Sequence, residues 1–348
     1  MSSNAADDST PVESPNGAAP DAFAPPAWLA NPHLQTILPS LKLGRPLLAR
    51  RARHLLACSR EQIVDCGDGV RLLGHLSTQA AAGRPQGRDL VILLHGWEGS
   101  SDSLYVLSLG SELFARGCDV FRLNLRDHGG SHHLNPELFH SCRLPEVVGA
   151  VRCLQLQHPT RRITLAGFSL GGNFALRVAA QAAAADLRLE QVFAVCPVLS
   201  PHGTMLAMER GLAIYQRYFI EKWRRSLRLK QQLFPQLYDL RAILTERSLR
   251  AMTRLLVERY SEFPSLDAYL NGYAIIGEVL GRLEVASHVL VALDDPIIPA
   301  ADLRDLARTR HLDLVTTARG GHCGFMESFG SASWADRQIV RRMGLPPA

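Results

Sequence analysis

The sequence predicts an α/β protein with a mainly parallel β-sheet, helices on both faces of the sheet and one helical insertion. First, short and continuously apolar runs alternate with longer amphipathic ones, as expected when both faces of each strand are covered by helices. Second, this rhythm stops over residues 201–286 and resumes afterwards. Third, 348 residues with 47% hydrophobic content can bury a large core without disulfides or metals.

The strand predictions begin with a hairpin. Residues 61–65 and 70–77 flank Gly67-Asp68-Gly69, a typical turn sequence. The next four runs and the helical stretches between them predict β-α-β units with right-handed crossovers. These strands are expected at 90–95, 119–125, 162–166 and 191–196, and the helices at 103–116, 145–157 and 170–184.

The stretch 201–286 is interpreted as a helical cap inserted into a core that covers residues 27–200 and 287–348. Strands are expected again at 288–293 and 312–317, and helices at 299–309 and 333–343. The basic residues of the cap are interpreted as a solvated helix face, with binding of anionic head groups as the alternative. They are Lys222, Arg224, Arg225, Arg228 and Lys230.

Composition and targeting patterns exclude several classes of protein. The net charge of +5 is too small to indicate nucleic-acid binding. Seven cysteines without a close Cys-x-x-Cys pair argue against a disulfide framework or a structural zinc site. Residues 1–26 lack the basic start of a secretory signal and are expected to be a disordered tail. Since no apolar run could span a membrane, a soluble, cytoplasmic protein is predicted.

The strongest chemical motif is Gly167-Phe168-Ser169-Leu170-Gly171. It follows a predicted strand and begins a predicted helix, which is the context of a Gly-x-Ser-x-Gly nucleophile elbow. The turn is so tight that side chains on either side of the nucleophile would clash, so glycines are required there. Ser169 is therefore the predicted nucleophile.

A serine nucleophile needs a base and an acid, and both follow in the order Ser, Asp, His. Asp295 comes after the predicted strand 288–293 and is the expected orienting acid, with Asp294 as the alternative. His322, flanked by Gly321 and Gly324, follows the last predicted strand and is the expected base. Activity should fall on acidification near the ordinary histidine pKa of about 6.5.

An oxyanion hole is expected from two backbone N–H groups. One belongs to Leu170, directly after the nucleophile. The other belongs to Trp97, since Gly96 lets the chain turn so that the next amide points inward. The indole of Trp97 is equally compatible with a role as pocket wall.

Other candidates have structural interpretations. His95 is expected to pack the loop in which it lies. Asp127-His128 and His132-His133 resemble metal ligands, but they do not complete a site and are interpreted as a polar, solvated loop. Cys196 and Cys323 are expected to be small buried hydrophobes. Because phosphate-binding motifs are absent, no cofactor is predicted.

Several further motifs join those above. The full set is Pro32-His33-Leu34-Gln35-Thr36, the runs 95–100, 139–141 and 167–173, Tyr215-Gln216-Arg217-Tyr218, Asp294-Asp295-Pro296 and the run 320–325. Together these motifs resemble the α/β-hydrolases, and within them the YheT-like branch that includes mammalian abhydrolase-domain lipases and phospholipases. The similarity extends over roughly residues 27–343. The resemblance implies a Ser–Asp–His carboxylester hydrolase that acts on lipid or acyl esters.

The sequence therefore predicts a serine hydrolase for small-molecule or lipid esters of short to medium acyl chains. Two alternatives remain: the same triad could act on thioesters or amides, or the fold could serve as a non-catalytic receptor or scaffold. Neither a nucleic-acid partner nor an integral membrane segment is expected, and the oligomeric state is left open. Apolar cap residues could line the pocket or only pack: Met205, Leu206, Ile214, Phe219 and Leu270.

Overall fold

The computed structural model describes residues 22–41 and 45–346. Among these residues, eight strands form one sheet in the order β1-β2-β4-β3-β5-β6-β7-β8. β2 pairs antiparallel with β1 and with β4, and all other pairs are parallel. The predicted hairpin and mainly parallel sheet are confirmed. The strands are β1 Ser59–Asp65, β2 Arg71–Ser77, β3 Asp89–Leu94, β4 Asp119–Leu123, β5 Arg162–Phe168, β6 Leu189–Val195, β7 Ser287–Ala292 and β8 Leu312–Thr317.

The alternation of side chains along β3 shows why its sequence is apolar throughout. Leu90, Ile92 and Leu94 belong to one core cluster, together with the helices α5 and α6. Val91 and Leu93 belong to a second cluster on the opposite face, with α4 and α12. Successive residues of a strand point to opposite faces, so both faces need apolar residues when both are covered.

The helices α1 to α6 and α12 flank the sheet, whereas α7 to α11 come from the predicted cap. Their bounds are α1 Pro32–Ile37, α2 Arg45–Arg51, α3 Arg53–Ala57, α4 Leu104–Ala115, α5 Leu144–Gln157, α6 Leu170–Ala180, α7 Pro201–Arg210, α8 Ala213–Leu233, α9 Arg241–Thr245, α10 Leu249–Tyr260, α11 Leu266–Asn271 and α12 Trp334–Arg342.

The prediction of a helix over 299–309 is wrong. Only Ala300–Asp305 is helical, as a short 3-10 segment. The chain then becomes extended at Leu306, which forms a parallel β-bridge with Gly277 of the cap region. A tertiary pairing thus ends the helix earlier than the local sequence suggests.

The basic face of α8 is also not simply solvated. Arg225 and Arg228 are exposed, Lys222 and Arg224 are half-buried, and Lys230 is fully buried. The Lys230 ammonium donates to Asp127 Oδ1 at 2.7 Å. The prediction therefore fails at Lys230, because this side chain forms an ion pair between the cap and the core.

Residues 1–21 of the predicted disordered tail lie outside the described residues. The prediction is wrong for the last residues of the tail, because Phe23 packs against Phe325 and Trp334 with ring centroids 5.8 Å apart in both pairs. The tail prediction can therefore apply only before residue 22. Within the described residues, no helix combines the length and apolar character needed to cross a membrane.

Candidate active site

The four loops that carry the predicted site residues meet at one edge of the sheet. Trp97 follows β3, Ser169 follows β5, Asp295 follows β7 and His322 follows β8. These strands are parallel, so their carboxyl ends lie along the same edge, where α/β proteins bind ligands. The topology alone thus brings together residues that are far apart in the sequence.

Ser169 lies in a strained turn between β5 and α6. Its φ angle of 53° and ψ angle of −119° are unusual for a residue with a side chain. A Cβ atom at Gly167 would clash with the carbonyl oxygen of Gly171, and one at Gly171 would clash with the carbonyl oxygen of Leu94. The two glycines are therefore required by close backbone contacts on both sides of the serine.

Ser169, His322 and Asp295 form an unbroken chain of hydrogen bonds. His322 Nε2 lies 2.9 Å from Ser169 Oγ, and His322 Nδ1 lies 2.8 Å from Asp295 Oδ2. The other carboxylate oxygen of Asp295 accepts from the N–H groups of Ile297 and Ile298 at 2.8 and 3.0 Å. The carboxylate is thus fixed on one side by backbone amides and faces the imidazole with the other.

Asp294, the alternative acid, has a different position. Its Oδ1 accepts the N–H of Gly321 at 2.9 Å, so it holds the loop that precedes His322, whereas the two imidazole nitrogens are engaged by Asp295 and Ser169. Of the two neighbouring carboxylates, Asp295 is the one with the geometry of an orienting acid.

The motif around α1 holds the same loop from the other side. Thr36 Oγ accepts the N–H of His322 at 2.9 Å. The buried side-chain amide of Gln35 donates to Leu29 O and Met326 O and accepts from Met326 N. Sequence reasoning used this motif only for the family resemblance and missed its positioning role. The hydrogen bond between Thr36 and His322 joins residues 286 positions apart, so no local pattern could have indicated it.

Residues 95–99, the loop that follows β3, form the predicted oxyanion loop, which folds over Ser169. A Cβ at Gly96 would lie 3.2 Å from Ser169 Cβ. Gly96 N–H donates to Tyr105 OH and Glu98 N–H donates to His128 Nε2, at 3.0 and 3.1 Å. The Trp97 N–H between them has no acceptor among the described residues. The N–H of Leu170, the first residue of α6, has no acceptor within its helix.

Two histidines behind this loop are buried parts of the structure. His95 Nδ1 lies 2.7 Å from Gly96 O, and its Nε2 accepts Leu125 N–H at 3.1 Å. This agrees with the structural interpretation of His95.

The prediction of a solvated loop at 127–133 is wrong for Asp127, His128 and His132, which are all buried. Their hydrogen bonds to the cap and to the oxyanion loop explain why water is excluded.

Burial and charge have opposite effects on His322. Burial alone would lower the pKa of its imidazole, but the adjacent Asp295 carboxylate and Cys323 outweigh burial and hold the pKa well above 6.5.

Cys323 differs from the prediction of a buried hydrophobe, because it is half-buried and lines a cavity. Although burial opposes ionisation, hydrogen bonding to Cys196 and the charge of His322 lower its pKa to about 6. Cys196 is fully buried, as predicted.

Two cavities meet at Ser169. The large cavity, about 520 Å³, lies between the oxyanion loop and the N-terminal half of α8, and Lys222 is the cation on its wall. The small cavity, about 110 Å³, extends beneath the cap helices. Five residues line both cavities: Trp97, Ser169, Phe219, Ile297 and His322.

The apolar cap residues have different roles. Ile214 lines the large cavity, Met205 the small one and Phe219 both. Leu270 is fully buried in packing and Leu206 is 39% exposed. The Trp97 indole stacks on Phe219 with centroids 5.2 Å apart. The indole therefore has the position of a pocket wall.

Comparisons with known proteins agree with this architecture. A family model described as the alpha/beta hydrolase fold matches residues 89–329. YheT of Escherichia coli (strain K12), an esterase by name, is 25% identical over 313 residues, 87% of each chain. The phospholipase ABHD3 of Mus musculus is 23% identical over 316 residues, 88% of this chain and 74% of the relative.

Among solved structures, the esterase Pf2001 of Pyrococcus furiosus has a TM-score of 0.54 at 14% identity, covering 83% of this chain and 94% of its own. A membrane phospholipase A described as a bacterial virulence factor has a TM-score of 0.53 at 17% identity, covering 87% and 92%. These similarities concern the fold. The family match over residues 89–329 establishes that the chain belongs to the α/β hydrolase family, and the similarity to YheT relates it to the YheT-like branch.

Proposed function

We propose that this protein is a serine hydrolase that cleaves carboxylic esters of short to medium acyl chains through an acyl-enzyme. The observation that carries the proposal is the chain of contacts from Asp295 Oδ2 through His322 to Ser169 Oγ, with distances of 2.8 and 2.9 Å. Both are within the range for proton transfer along hydrogen bonds. The chain ends where the two cavities meet, which leaves space for an ester beside the hydroxyl.

In the acylation step, Ser169 Oγ attacks the ester carbonyl carbon while His322 Nε2 accepts the hydroxyl proton. The carbonyl oxygen becomes an anion, which the N–H groups of Trp97 and Leu170 stabilise. The carbonyl then re-forms, the bond to the alcohol oxygen breaks, and His322 returns its proton to that oxygen. Asp295 keeps the imidazole oriented and stabilises its positive charge throughout.

In the deacylation step, a water molecule replaces the alcohol. His322 accepts a proton from water as the water oxygen attacks the acyl-Ser169 carbonyl carbon. Collapse of this second intermediate breaks the bond to Ser169 Oγ, which regains the proton from His322. The products are a carboxylic acid and the free enzyme.

The unequal cavities support a particular orientation of the substrate. The small cavity is walled mostly by apolar side chains, so we assign it to a short acyl chain. The large cavity carries the Lys222 ammonium, whose Nζ donates to the carbonyl oxygen of Glu98 at 2.8 Å. Burial raises the pKa of the Glu98 carboxyl to about 8, although the nearby Lys222 ammonium opposes this rise. We assign the larger, more polar alcohol part of the substrate to this side.

A fluorophosphonate probe and a panel of p-nitrophenyl esters test the proposal. The wild type should be labelled at Ser169 and should hydrolyse the acetate, butyrate or octanoate faster than the palmitate. Ser169→Ala should lose labelling, whereas Ser331→Ala, a variant at an exposed serine, should keep it. Labelling that survives in Ser169→Ala would contradict the nucleophile. Faster turnover of matched thioesters or anilides would assign the triad to the alternative substrates.

We also propose that the enzyme acts in the cytoplasm. All seven cysteines are free, and thiols persist in reducing compartments. Fractionation of cells that produce the full chain, with labelling by the same probe, tests this assignment. Activity confined to a secreted or membrane fraction would contradict it.

A further inference from the structure

Two thiols and one imidazole converge beside the proposed nucleophile. The ligand atoms of Cys196, His322 and Cys323 all lie within 4.8 Å of one another. Cys196 directly follows β6, and its Sγ accepts the N–H of Cys323 at 3.3 Å. In the described part of the chain, no other set of three His, Cys, Asp or Glu side chains comes together in this way. We propose that these three residues bind a soft divalent cation of the Zn²⁺ and Cd²⁺ class, and that the bound cation inhibits the hydrolase.

The ligand set favours this class of metal. Thiolates and imidazole select soft or borderline cations over Mg²⁺ and Ca²⁺, which prefer oxygen ligands. In a tetrahedral zinc site, Zn–S and Zn–N bonds of about 2.3 and 2.0 Å set the ligand atoms roughly 3.5–3.8 Å apart. The ligand atoms lie within 4.8 Å of one another, so side-chain rotation would have to bring them slightly closer to reach these separations.

The site is open on one side. His322 and Cys323 line the large cavity, so a hydrated cation has an access route from solvent. Three protein ligands leave a fourth position for water, as in zinc sites that keep one position open. Cys196 is fully buried and does not line this cavity. The cation would therefore lie between the cavity and the end of β6.

Binding of the cation excludes the catalytic arrangement. Both ring nitrogens of His322 are already engaged, Nδ1 with Asp295 and Nε2 with Ser169. A cation that takes either nitrogen breaks one link of the chain. Coordination through Nε2 would keep Asp295 on Nδ1, which matches the carboxylate–histidine–metal arrangement of many zinc sites. The inhibition rests on the proposed function, whereas the binding does not.

The test uses the full chain, kept reduced by a phosphine. Titration with Co²⁺ should produce thiolate-to-cobalt charge-transfer absorption, and Zn²⁺ or Cd²⁺ should abolish it by competition. Cys196→Ser and Cys323→Ser should each weaken binding by at least about tenfold, whereas Cys142→Ser, a half-buried thiol elsewhere, should not. Melting curves verify that each variant is folded. If Cys196→Ser does not fold, the result with Cys323→Ser decides the outcome.

A second experiment measures inhibition. Zn²⁺ should suppress ester hydrolysis reversibly, with recovery on adding EDTA, and each variant is compared with its own metal-free rate. Ser169→Ala should bind Co²⁺ although it is inactive, so failure of the proposed hydrolase would leave the binding result intact. Charge-transfer absorption that is absent, or unchanged in both cysteine variants, overturns the site. Full activity with the cation bound overturns the inhibition.

Discussion

The turn around Ser169 and the loop around His322 face each other, but different parts of the sequence hold them in place. Ser169 lies between a strand and a helix that adjoin it directly, and glycines two residues away on either side allow the turn. The His322 loop depends on Asp295, Asp294 and Thr36, which are 27, 27 and 286 positions from the residues they bind. The proposed nucleophile is thus positioned locally, whereas the proposed base is positioned by tertiary contacts.

Because of this difference, substitutions of reacting residues and substitutions of positioning residues should affect activity in different ways. Replacing Ser169 would remove the proposed reacting atom and leave the rest of the site in place, whereas replacing a residue that holds the His322 loop would change where the imidazole lies. A misplacement of about 1 Å can cost about 100-fold in rate. Substitutions that remove a reacting group should therefore have larger effects than substitutions that shift one.

Ser169→Ala should have the largest effect, about a 10⁶-fold loss in kcat, the magnitude found when a triad serine is removed. The reason is the loss of the covalent step. Steady-state hydrolysis of p-nitrophenyl butyrate measures it, with a melting curve to show that the fold persists. A loss of less than about tenfold would contradict the assigned nucleophile.

Asp295→Asn should lower kcat by about 10⁴-fold, because an amide favours the wrong tautomer of His322. Asp294→Asn keeps an oxygen that can accept the Gly321 N–H, so its effect should be much smaller. The two variants are matched in chemistry and adjacent in sequence. A larger loss in Asp294→Asn would move the acid by one residue.

Thr36→Val should lower kcat by about 10- to 100-fold with little change in KM, because the N–H of His322 loses its acceptor and the imidazole shifts. Thr36→Ser retains the hydroxyl and should restore most of the activity. Equal losses in the two variants would show that packing of the threonine methyl, rather than the hydrogen bond, supports the loop.

The smallest effect is expected in the pH profile. Activity requires neutral His322, so kcat/KM should fall as the pH drops through the imidazole pKa. Because that pKa is raised well above 6.5, the midpoint should lie above the value expected from the sequence alone. Cys323→Ala removes one of the groups that raise the pKa, so its midpoint should move to lower pH. A midpoint at or below 6.5 in the wild type would contradict the raised pKa.

The same contrast explains how much could be predicted from the sequence. The hairpin, the parallel strands and the position of Ser169 follow from local periodicity and glycine spacing, and the structure agrees with them. Lys230 could not be predicted as buried, because its partner Asp127 lies 103 positions away. The early end of the helix at Asp305 likewise depends on a bridge to Gly277. Asp295 and Asp294 differ only in three-dimensional contacts, so the sequence left both open.

The buried pair of Lys230 and Asp127 also limits how the cap can move. Separating the two side chains would leave an uncompensated charge in a water-poor interior, which costs about 3–5 kcal/mol. Helix α8 is therefore anchored near its C-terminal end, while Ile214 and Tyr218 near its beginning are exposed. The beginning of α8 is tied to α1 instead, through the 2.8 Å contact between Tyr215 OH and His33 Nδ1. A hydrogen bond of this kind contributes only about 1 kcal/mol, so separating this end of the helix from the core should cost less than separating the end that carries Lys230.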